Sequence, residues 1–251
     1  MRITGLSFQI YVGLIILLAV LGAANTFLPQ GDVVDTLSGG QMPASKPVMA
    51  LATAGIMLFV YGGLGLVGLL LAQKLGFAAV WDPDVTVQQR FLIPACLGVG
   101  LGVFFIGADL VFRQFHTLGA LPHPPFPTSL VASVTAGIGE ETIFRLFFVP
   151  FWLWLISAML LKGRGQETVF WIVVLFSALA FAAGHIPSVM LVTGVRSVCD
   201  LPMALLVEII LLNGVLSVLA AIYLRKFGFL AAVGIHFWAD VVWHVVFGLI
   251  A

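Results

Sequence analysis

The chain has 251 residues, 61% of them apolar and 9% charged, with a mean hydropathy of +1.17. Soluble domains run at about 45–50% apolar and about 25% charged, so an ordinary soluble enzyme, a disordered chain and a disulfide scaffold are excluded. Eleven basic residues balance eleven acidic ones, which leaves no electrostatic attraction to nucleic acid.

A membrane span needs about 20 mostly apolar residues, because only a helix satisfies its own backbone inside lipid. Seven runs meet this: 6–28, 48–73, 91–112, 129–161, 168–192, 201–223 and 228–250. The expected fold is an all-α, polytopic transmembrane bundle of seven to eight spans. The first run, with Arg2 before it and Gly22-Ala23-Ala24 near its end, has a rival reading as a signal peptide; its length favours a retained span. Glycines in GGLGLVG (62–68) and GVGLG (98–102) have the small-residue spacing of closely packed helices. The fourth run is too long for one straight span, and Pro150 is expected to kink or break it, with Trp152 and Trp154 in the interface. The segments 29–47 and 113–128 read as loops.

Lys and Arg in the connections set the orientation. Arg2, Lys74, Arg90, Lys162, Arg164, Arg225 and Lys226 fall on one side, and Lys46, Arg113 and Arg196 on the other. This puts the N-terminus in the cytoplasm. Two parts are expected: residues 1–127 with three spans, and a helical core over 128–251. No internal repeat is evident, which disfavours a carrier built from two similar halves. Cys96 and Cys199 lack CxxC spacing and read as structural.

Ionisable groups at lipid depth are costly, at least about 2.5–3.5 kcal/mol each at a helix centre, so they are the informative residues. Three segments concentrate them. In GEETIFR, Glu141 and Arg145 stand one turn apart and can pair, while Glu140 points about 100° away and stays freer. In FAAGH, His185 precedes Pro187 in an apolar run that reads as a kinked helix. In HFWADVVWH, His236, Asp240 and His244 recur on one stripe that must face the bundle or a cavity; His244 nears the helix end and is the weakest member. Glu208 and Asn213 in the sixth run read as packing, and Asp109 as a solvated residue near a helix end.

A carboxylate and an imidazole sharing a water make a general-base pair, and a second polar pair can stabilise an oxyanion. Together they suit hydrolysis of a peptide bond inside the membrane. Neither GxSxG nor HExxH occurs. Carboxylates and imidazoles also ligate metals, so residue types alone leave metal-dependent activation open.

The three segments resemble the CPBP (CAAX protease and bacteriocin-processing, or Abi) family of intramembrane proteases, whose pattern is EExxxR, then FxxxH, then HxxxN or HxxxD. Here they are Glu140-Glu141-Thr142-Ile143-Phe144-Arg145, Phe181-Ala182-Ala183-Gly184-His185 and His236-Phe237-Trp238-Ala239-Asp240. The resemblance covers residues 128–250. It implies an intramembrane endopeptidase in which Glu140 and His185 activate water, His236 and Asp240 bind the oxyanion, and Glu141 and Arg145 shape the site. It implies no cofactor, a membrane-associated or lipidated peptide as substrate, and a prokaryotic inner membrane as location. The prenyl-protease branch usually has Asn where Asp240 stands; an ionised Asp cannot donate to an oxyanion, so Asp240 must be protonated or must orient His236 or His244. The competing readings are a metal-dependent protease using the same residues, and a non-catalytic scaffold, bacteriocin-immunity protein or proton-coupled carrier.

Overall fold

The structure, a computed structural model, describes residues 5–31, 44–119, 121 and 123–250. Arg2 and most of the 29–47 loop lie outside the described residues. Among the described residues, seven helices are long and apolar enough to cross a membrane: α1 (Gly5–Asn25), α2 (Lys46–Lys74), α3 (Gln88–Phe115), α4 (Thr128–Leu160), α5 (Gln166–Thr193), α6 (Met203–Phe227) and α7 (Phe229–Leu249). No strand occurs among the described residues. Large apolar side chains such as Phe59, Ile172 and Phe176 point outward, as expected where the surroundings are lipid and not water. The protein is an integral membrane helical bundle.

α7 is the hub. It packs on α3, α4 and α6, and its Ala231, Ala232 and Ala239 are fully buried, so neighbouring backbones come close. α1 and α2 pack on each other and both on α4, and α5 packs on α6. The two glycine runs act here. A Cβ on Gly68 would overlap the Leu146 carbonyl of α4, and one on Gly98 would overlap the Ile235 carbonyl of α7. Both contacts are backbone against backbone, which no larger residue permits. Tyr11 Oη donates to the Gly62 carbonyl at 2.6 Å and ties α1 to α2.

α4 departs from the expected break at Pro150. The helix is continuous to Leu160, because its turns widen to π-helical geometry over Glu141–Phe148 and again over Trp154–Leu160. Pro150 falls in the short α-helical stretch between them, and the chain stays helical through it. Ser177 of α5 donates to the Phe144 carbonyl at 3.1 Å within the widened stretch. α5 likewise runs on through Pro187.

One further expectation is corrected. Asp109 is buried at 1% exposure; its Oδ1 accepts the Leu121 N–H at 3.4 Å, so it anchors the α3–α4 connection instead of facing solvent. Cys96 and Cys199 are both unpaired and exposed. Arg90 is buried, with its guanidinium 3.9 Å over the Trp81 ring and donating to the Asp82 and Val85 carbonyls. It ties the start of α3 to the α2–α3 connection.

Candidate active site

The widened turn of α4 sets out the first motif. Glu141 and Arg145 are fully buried, and Glu141 Oε2 lies 3.3 Å from Arg145 Nε. The other oxygen, Oε1, accepts a hydrogen bond from His236 Nδ1 of α7 at 2.8 Å. Glu141 thus bridges a cation on its own helix to an imidazole on the hub helix. Arg145 also stacks over the Phe181 ring, 4.1 Å from its centroid. The aromatic face offsets part of the cost of burying a guanidinium away from water. Wide helical turns of this kind recur at functional sites, where they re-aim side chains.

Glu140 is different from its neighbour. Its side chain is 35% exposed and opens into a cavity. Its Oε2 stands 3.6 Å from His236 Nε2, and Asp240 Oδ2 stands 3.5 Å from the same nitrogen. His236 is therefore fixed at Nδ1 by Glu141 and faces two carboxylates at Nε2. The freer and the paired carboxylate expected from the i,i+4 spacing are both present, with Glu140 the freer.

The second motif contributes through α5. His185 Nδ1 lies 2.9 Å from the Phe181 carbonyl. A carbonyl only accepts, so Nδ1 carries the proton and Nε2 keeps its lone pair. Phe181 explains the phenylalanine of the motif: its ring meets His185 edge-on at 4.7 Å, His236 at 5.9 Å and Phe144 at 5.1 Å, and lies under Arg145. One buried ring thus packs against a residue of every motif.

Glu140, His185, His236, Asp240 and His244 all line one cavity of about 280 Å³, walled by apolar residues that include Phe105, Leu212 and Trp243. The structure brings together Glu140, His185, His236 and Asp240 on the cavity, with Glu141 and Arg145 buried behind it. His244, the weakest candidate in the sequence, lines the same cavity, and its Nδ1 is 3.2 Å from His123 Nδ1. Asn213 lines it too, whereas Glu208 lies apart, fully buried and 4.0 Å from His116.

The sequence reading missed several residues. His123 carries no motif, and its contact with His244 joins positions 121 residues apart. A second cavity of about 290 Å³, lined by Leu18, Met57 and Tyr61 of α1 and α2, shares Ala132, Ala136 and Glu140 with the first. The N-terminal helices, which look generic in sequence, therefore wall Glu140 on its other side. Among the described residues, no three His, Cys, Asp or Glu side chains are grouped so as to hold a metal ion.

No curated protein and no solved structure matches the chain. Residues 122–242, just under half of the chain, match the family model described as type II CAAX prenyl endopeptidase Rce1-like. All three motifs lie inside that stretch. The segment from residue 122 to 242 is thus similar to the Rce1-like CAAX-protease family.

Proposed function

We propose that the protein is an intramembrane endopeptidase that hydrolyses peptide bonds of membrane-associated or lipidated substrates with a water activated by Glu140 and His185. The observation that carries this reading is the single cavity onto which Glu140, His185, His236 and Asp240 open from three different helices.

In this reading Glu140 takes a proton from the water while its oxygen attacks the scissile carbonyl carbon. His185 accepts the second hydrogen of that water at Nε2 and orients it, since its Nδ1 is held by the Phe181 carbonyl. The tetrahedral oxyanion forms against His236 Nε2–H. Glu141 at Nδ1 and Asp240 beside Nε2 orient that imidazole, which assigns Asp240 to holding His236 and not to donating to the oxyanion. The C–N bond then breaks and Glu140 returns its proton to the leaving amine. Every hydrogen of the water ends on a product, and no step is routed through a metal.

The domain reading follows. Residues 128–251 supply the reacting groups, and residues 1–127 supply one wall through α1 and α2. The type II CAAX prenyl endopeptidase description of the matching family supports a substrate with a lipidated, membrane-held end. The proposed location is the inner membrane of a prokaryote, with the N-terminus in the cytoplasm.

The test compares membranes containing wild-type protein with membranes containing Glu140→Gln, using proteomics that scores new peptide ends. The expected outcome is a set of cleavage products present with the wild type and missing with the folded variant. Identical products from both would end the endopeptidase reading and favour a scaffold.

A further inference from the structure

A third cavity, of about 650 Å³, opens at the end of the bundle where α2 and α6 stop and α3 and α7 start. It shares no residue with the cavity of Glu140 and His236. One wall is the end of α6, with Arg225 and Lys226. The other is the α2–α3 connection, with Trp81, Asp82 and Asp84. That second wall lies outside the 122–242 stretch matched by the family model. The volume is within the range of small-molecule sites.

Backbone contacts hold the two walls together. Ala78 N–H donates to the Arg225 carbonyl at 3.1 Å. Gly228, at φ +86°, lets the Ala79 carbonyl come so close that any Cβ there would overlap it. Trp81 N–H donates to Ser7 Oγ of α1 at 3.1 Å. The Asp82 carboxylate accepts the N–H groups of Ala79 at 3.3 Å and of Asp84 at 3.0 Å. The connection is thus fixed before any ligand arrives, which lowers the ordering cost of binding.

The lining charges are sorted, bases on α6 and acids on the connection. Arg225 pairs with Glu167 at 2.8 Å. Lys226 is exposed, and among the described residues no acid lies within ion-pair distance of it. Asp84 is exposed too, and among the described residues no cation pairs with its carboxylate. A purely anionic ligand would be repelled by the two acids, and a purely cationic one by the two bases. A ligand carrying both a phosphate and an ammonium meets an opposite charge on each wall. Quaternary ammonium groups are held by open aromatic faces, but the Arg90 guanidinium lies 3.9 Å over the Trp81 ring. A primary ammonium, with three N–H donors, suits the carboxylates instead. The Trp81 ring stands 6.4 Å from that of Phe91, and Val87, Phe91 and Leu92 around the start of α3 are exposed. This apolar strip beside a charged cavity, at the end of the spans, fits the acyl chains of an amphiphile. We propose that the cavity binds the headgroup of a phospholipid bearing a primary ammonium, with the phosphate on Lys226 and Arg225 and the ammonium on Asp84 and Asp82. The site is independent of the endopeptidase reading.

The experiment titrates the full chain in non-ionic detergent, with bound lipid counted by native mass spectrometry. The probes are phosphatidylethanolamine, phosphatidylcholine and phosphatidylglycerol with the same acyl chains. Soluble glycerophosphoethanolamine is measured beside them by calorimetry. Phosphatidylethanolamine is expected to bind about 5- to 10-fold more tightly than either other lipid, as a charge-assisted contact at a half-open site allows. Asp84→Asn should remove most of that preference and leave the binding of phosphatidylglycerol no weaker. Lys226→Met should weaken all three lipids by a similar factor, because all three carry the phosphate. Both side chains are exposed, so the variants are expected to keep the wild-type thermal midpoint. Equal affinities for the three lipids on the wild-type protein would overturn the proposal without recourse to any variant. So would a preference for phosphatidylethanolamine that survives both substitutions. Binding of glycerophosphoethanolamine as tight as that of the lipid would overturn the assignment to a membrane lipid and make the ligand a soluble phosphate ester. Loss of cleavage in Glu140→Gln with the lipid preference intact separates this site from the catalytic one.

Discussion

Two groups of buried acids and imidazoles lie in this bundle, and they are held differently. Glu141, Arg145 and His236 form a chain of contacts at 3.3 and 2.8 Å with a permanent cation at one end. Asp109 and the side chains of His116 and Glu208 are also buried, but among the described residues their closest ion-pair contact is 4.0 Å and no arginine pairs with them. Among the described residues, both oxygens of Glu208 and both ring nitrogens of His116 lack a hydrogen-bond partner. The first group is locked from two sides, so it can fix an imidazole beside a reacting centre. The second group lies at the end of α3 and on α6, and its members have no close countercharge among the described residues. Burial alone therefore does not mark a site; a fixed countercharge and an adjoining cavity do.

This contrast sets the order of the expected effects. Glu140→Gln should lower the cleavage rate by about 10²–10⁴ with the thermal midpoint kept, since it removes a general base that carries little of the packing. Retention of activity would place the reaction elsewhere. Arg145→Met should cost about 3–5 kcal/mol of stability, because it leaves Glu141 buried without its cation. Chemical denaturation in mixed micelles measures this, and a loss under about 1 kcal/mol would mean that His236 alone neutralises Glu141. Glu208→Gln should change stability by less than about 1 kcal/mol, because the amide replaces a carboxyl group that has no firm partner. A large loss there would erase the distinction between the two groups.

The smallest effect is one of pH. Burial holds the His123 imidazole below its ordinary value, and Asp109 only partly counters this. The released connection therefore binds a proton more readily than the packed one. The packing of His123 against Trp243 and Phe247 is held fully above about pH 6.5 and weakens as pH falls below it. Hydrogen exchange of that connection at two pH values should show faster opening in acid, and unchanged protection would remove His123 as a latch.

Much of the fold was legible because lipid imposes a simple rule. Helix lengths and positions follow from apolar runs, and all seven spans appear within a few residues of where hydropathy places them. The pairing of Glu141 with Arg145 and the freer state of Glu140 follow from helical spacing. Pro150 does not break its helix, and the turns before it are wider than α-helical ones. Asp109 was misleading because nearness to a helix end says nothing about the chain folded back over it.

By itself the sequence determined that this is a helical membrane protein, where its helices run and which of its residues are chemically capable, because hydropathy and i,i+4 spacing are local properties. Only the tertiary structure decided that α7 lies at the centre, that Glu141 reaches across to His236, that His123 seats against His244 and that Tyr61 of α2 walls Glu140. Those are meetings of residues far apart in the chain. They depend on which helix faces can approach one another, and that is settled by packing of the whole bundle.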